Sequence, residues 1–84
     1  MNESEIKYII ARVIENANDA REESKEAPDD EFYKGKKLAY YEILDTIKNE
    51  LKARGQDLKE FGLDANLERK YLWQAPFMWM VLFS

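Results

Sequence analysis

Pro28 separates two long stretches whose apolar residues recur at helical spacing, and the two stripes complement each other. Before the proline, Ile6, Ile9, Ile10, Val13, Ile14, Ala17 and Ala20 return every three or four residues. After it, Phe32, Ala39, Tyr40, Ile43, Leu44, Ile47 and Leu51 share one broad face, with Gly35 on its flank. A proline inside a helix lacks its amide donor and clashes with the preceding turn, so the chain must break there. Folding back at Pro28 sets Ile6 opposite Leu51, Ile10 opposite Ile47, Val13 opposite Ile43, Ala17 opposite Ala39 and Ala20 opposite Gly35. Large residues then meet large ones at the open end and small ones meet small near the turn. The sequence thus predicts an all-α fold: an antiparallel two-helix hairpin, short C-terminal helices and an aromatic tail, completing a bundle in a dimer.

The ends of the elements carry their own signals. Asn2 followed by Glu5 has the form of a capping box, which starts helix 1 at about residues 3–26. Asp29 and Asp30 are candidate caps for helix 2, at about 31–54, with Gly55 as its C-terminal stop. Asp57 and Glu60 open a short helix at 58–61 that Gly62 ends. Asp64 can cap another at 65–72, carrying Leu67, Tyr71 and Leu72. One helical domain of 84 residues is expected. A chain this short buries little surface, and with no cysteine or histidine it has neither a disulfide nor the commonest zinc ligands. Association with another chain is the remaining way to add core.

Residues 73–84, WQAPFMWMVLFS, hold no charge. Trp73, Phe77, Met78, Trp79, Met80 and Phe83 are of the types enriched in interface cores. They are expected to complete the hairpin's core or to form an oligomer or partner interface. The run is too short to span a bilayer. MNESEIK has no secretory layout, and the missing cysteines fit a reducing compartment, so a cytoplasmic protein is expected.

Charge is unevenly placed. Of the net −4, residues 19–31 contribute −5 through seven acids and two bases, and the rest of the chain +1. Glu22, Glu23, Glu26, Asp29, Asp30 and Glu31 therefore make an acidic end suited to a protein partner with a basic surface. A solvated, helix-capping role would use the same residues. On what reads as the outer face of helix 2, Lys34, Lys37, Lys48 and Lys52 surround Tyr41. Such a basic face with an interleaved aromatic is an alternative nucleic-acid surface, interrupted by Asp45.

Without His or Cys, acid–base chemistry would fall to Asp, Glu, Lys or Tyr. Glu23-x-x-Glu26 and Glu42-x-x-Asp45 together resemble the ExxE…ExxD signature of the all-α nucleotide pyrophosphohydrolases. That resemblance implies Mg²⁺ ligation by the four carboxylates. A turn at Pro28 separates the two pairs along the hairpin, so the expectation is no enzyme, no metal and no cofactor. The run F-Y-K-G-K-K-L-A-Y-Y-E-I-L-D-T-I, Phe32 to Ile47, resembles short helical-hairpin proteins of bacterial mobile elements and phages. Some of these inhibit host defence, CRISPR nucleases included. The resemblance implies a non-enzymatic inhibitor of a nucleic-acid-handling complex, with a small regulatory nucleic-acid-binding dimer as the alternative.

Overall fold

A computed structural model of the chain describes residues 1–72; the apolar run Trp73 to Ser84 lies outside the described residues. Two long helices form an antiparallel hairpin, α1 (Glu3–Glu26) and α2 (Glu31–Ala53). A 3-10 turn (Leu58–Phe61) and a π-helical turn (Glu68–Leu72) follow and lie against both helices. The Cα envelope measures 44 × 27 × 14 Å, a slab rather than a sphere.

The helix ends follow from side-chain chemistry. Asn2 Oδ1 accepts from Glu5 N–H at 2.8 Å while Glu5 reaches back to the Asn2 amide, so the capping box at α1 is complete. Asp30, not Asp29, caps α2 by accepting from Phe32 N–H at 2.9 Å. Asp57 caps the 3-10 turn through Lys59 N–H at 3.0 Å. Gly62 ends that turn in the left-handed region at φ 74°. The last turn departs from expectation: it begins at Glu68, and Asn66, rather than Asp64, accepts from the Arg69 amide at 3.1 Å.

The core sits where α1, α2 and residues 57–72 meet. Ile10 and Ala17 of α1, Leu44 of α2, and Phe61, Leu63, Leu67 and Tyr71 are buried together. Val13, Ile14, Tyr40, Tyr41, Ile47 and Leu51 pack around them. Ala17, Ala20 and Ser24 line the buried side of α1, so its inner face is small near the turn.

This corrects the residue pairing expected for the hairpin. Phe32, Ala39 and Ile43 are exposed, and a side chain added at Gly35 would meet nothing within 4 Å. Gly35 is therefore not a close-approach point for Ala20, and Ile43 is about half exposed rather than buried in the core. The face of α2 that turns inward is centred on Leu44, which is fully buried. The cause is the third layer. Residues 57–72 draw the core to one side of the hairpin, and Tyr41, whose ring packs on the core while its hydroxyl reaches Glu68, fills a position on that side.

Candidate functional site

The acidic end is built from the last turns of α1 and the turn into α2. Asp19, Glu22, Glu23 and Glu26 recur every three or four residues, so a helix stacks them along one side. With Asn16 of α1 and with Lys36 and Tyr40 of α2, they line an open groove of about 520 Å³. Lys36 Nζ bridges the groove to Glu23 Oε1 at 2.9 Å, tying the two helices together. That bond, ahead of a smaller opposing effect of burial, raises the Lys36 pKa and keeps the ammonium charged.

The six acids expected here divide by task. Asp30 is spent on the α2 cap. Glu23 is held by Lys36, Glu22 by Lys25 at 3.5 Å, and Glu31 by Lys34 at 3.6 Å. Glu26 and Asp29 are exposed and form no ion pair with another described residue; Asp19, which the expectation did not include, is in the same state. Its signal in the sequence was its spacing, one turn before Glu22 and Glu23. Asp30 and Glu31 lie at the positive end of α2, where the helix dipole favours them. Glu22, Glu23 and Glu26 lie at the negative end of α1, where it does not.

The lysines of α2 are dispersed. Lys48 Nζ donates to the Ala65 carbonyl at 2.8 Å and Tyr41 packs on the core, its hydroxyl 3.5 Å from Glu68 Oε1. Burial pushes the Tyr41 phenol up, helped by Asp45 and Glu68. Lys37 is half-buried, and burial, then the charges of Arg21 and Lys34, lower its pKa. Lys52 is exposed and shares a second groove of about 360 Å³ with Lys48, Asp45, Asp64 and Glu68. Tyr41 and Lys48 thus lie on the side of α2 that residues 57–72 cover, not on an outer face.

The two carboxylate pairs of the pyrophosphohydrolase-like pattern also part. Glu23 and Glu26 line the first groove, whereas Asp45 lines the second and Glu42 is exposed. Among the described residues, no three carboxylates come close enough together to hold a metal ion. No helix among them is long and apolar enough to cross a membrane. Trp73, Phe77, Met78, Trp79, Met80 and Phe83 lie outside the described residues. No family model matches the chain, and no curated protein or solved structure matches it.

Proposed function

We propose that the protein is a non-enzymatic interaction module that docks its Pro28 end onto a basic surface of a protein partner. The observation that carries this reading is the stack of Asp19, Glu22, Glu23 and Glu26 along one side of α1, the last three at its negative end. An acid in the last turn of a helix costs it about 0.3–1 kcal/mol, and among the described residues Glu23 alone of these acids gains a contact across the hairpin in return. Acids that work against their own helix make sense when an external cation repays them. Dense like charge also steers encounter with a basic partner, at rates that fall with salt.

The resemblance of Phe32 to Ile47 to mobile-element proteins supports one concrete form of this: an inhibitor that occupies a basic, nucleic-acid-handling surface of a bacterial complex such as a CRISPR nuclease. The test is capture of a partner from a bacterial host by the intact chain, compared with Glu22→Lys combined with Asp29→Lys. Loss of capture, together with weaker capture at high salt, is the expected result. Undiminished capture by the charge-reversed chain would remove the acidic end from the account.

A further inference from the structure

The side of α2 centred on Ile43 sets unlike but complementary residues at matching distances along the helix. Four residues to either side stand Ala39 and Ile47, seven to either side Lys36 and Glu50, and eleven to either side Phe32 and Arg54. At 3.6 residues per turn all of these lie within about 40° of Ile43, in one narrow stripe. Phe32, in the first turn of α2, is 68% exposed and Ile43, in its middle, 47%. Ala39, Glu50 and Arg54 are exposed as well, whereas Lys36 and Ile47 are half-buried, Ile47 with part of its side chain packed against the core.

We propose that this stripe binds the same stripe of a second copy of the chain, with the two α2 helices antiparallel about Ile43. A two-fold interface must be self-complementary, and here the offsets supply it. Antiparallel pairing sets the small Ala39 against the large Ile47, the Lys36 ammonium against the Glu50 carboxylate, and the Phe32 ring against the Arg54 guanidinium, an arrangement open to cation–π contact. Parallel pairing would set Lys36 against Lys36 and Glu50 against Glu50, so charge selects the antiparallel form. Within one chain Lys36 holds Glu23 and Glu50 holds Arg54, but all three stripe residues are more than one-third exposed and have room for a second contact. The stripe leaves Glu22, Asp29 and Asp30 uncovered, so two acidic ends would project from opposite ends of the pair.

The chain has no cysteine, which makes a single introduced thiol a clean reporter. Ile43→Cys falls on the two-fold axis. Leu38→Cys, also exposed, lies about 140° round the same helix and serves as the control. Under mild oxidation Ile43→Cys is expected to form a disulfide-linked dimer at least about tenfold faster than Leu38→Cys, and the unsubstituted chain to have twice the 10.0 kDa monomer mass in sedimentation. Glu50→Lys is expected to weaken self-association about tenfold, and adding Lys36→Glu to restore it. Circular dichroism checks that each variant keeps its helices. Equal oxidation rates, a monomer mass at high concentration, or no effect of Glu50→Lys would overturn the proposal. So would a monomer whose tryptophan emission, from Trp73 and Trp79 alone, moves to the red on Ile43→Glu, because the chain's own tail would then be the occupant.

Discussion

The Tyr71 hydroxyl donates to Asn18 Oδ1 at 2.7 Å, joining two residues 53 positions apart. The ring of Tyr71 is 1% exposed and packs in the core with Leu44 and Leu67. Its single polar atom finds its partner on α1, so the C-terminal layer is fastened to the first helix as well as the second.

Replacing Tyr71 by Phe keeps the ring and removes the bond. A loss of about 1 kcal/mol is expected in urea unfolding, since Asn18 is left unpaired in a half-buried place. The same residue governs alkaline behaviour. Burial, only partly offset by Arg21, raises the Tyr71 pKa above the ordinary 10.0. A raised folded-state value means its contribution is whole below pH 10 and is lost as the pH climbs through the folded pKa. Stability measured above pH 10 should therefore fall more steeply in the unsubstituted chain than in Tyr71→Phe.

Leu44 and Ile43 are neighbours in sequence and opposites in environment. Leu44→Ala should cost about 2–5 kcal/mol, because a fully buried side chain leaves a cavity. In so small a domain that approaches the whole stability, and the helical signal at 25 °C should drop sharply. Ile43→Ala should cost well under half as much in the monomer. Equal costs would show that α2 is turned as the apolar stripe alone suggested.

Two glycines should respond with opposite sign. Gly35 is mid-helix with open space around it, so Gly35→Ala should stabilise the monomer by up to about 1 kcal/mol. Gly62 has φ 74°, and its added Cβ would stand 3.5 Å from Ile14 Cδ1, an ordinary contact. The backbone conformation, rather than crowding, makes Gly62→Ala destabilising, by about 1–2 kcal/mol. Thermal melts of both variants check the pair.

Glu26→Gln should raise the melting temperature slightly, by relieving an acid at the negative end of α1, a gain of about 0.3–1 kcal/mol. The same substitution should weaken capture of a basic partner. Stability and binding moving in opposite directions would mark Glu26 as a residue kept for contact rather than for folding.

The hairpin and its ends were legible because caps and helical periodicity are local. Asn2 with Glu5, the break at Pro28 and the stop at Gly62 all act within a few residues of themselves. The rotation of α2 was not legible, since it depends on where residues 57–72 settle. Counting apolar letters favoured Phe32, Ala39 and Ile43 and gave no weight to Tyr41, which buries carbon while counting as polar. The same rotation explains why the lysines looked like one outer face and are instead divided between a carbonyl contact, a half-buried stem and an open groove. The acidic end was better placed from sequence because exposed charge needs no packing partner. Which acids were already committed to caps and ion pairs only emerged with the geometry.

The bond from Tyr71 to Asn18 also bears on the order in which the molecule is assembled. Four residues join α1 to α2, whereas the third layer must close a loop across most of the chain, and longer loops cost more entropy to close. A ribosome adding about 5–20 residues each second finishes α2 roughly 1–4 s before Tyr71 has been made. During that interval a newborn hairpin carries Leu44, Ile10 and Ala17 with no lid over them.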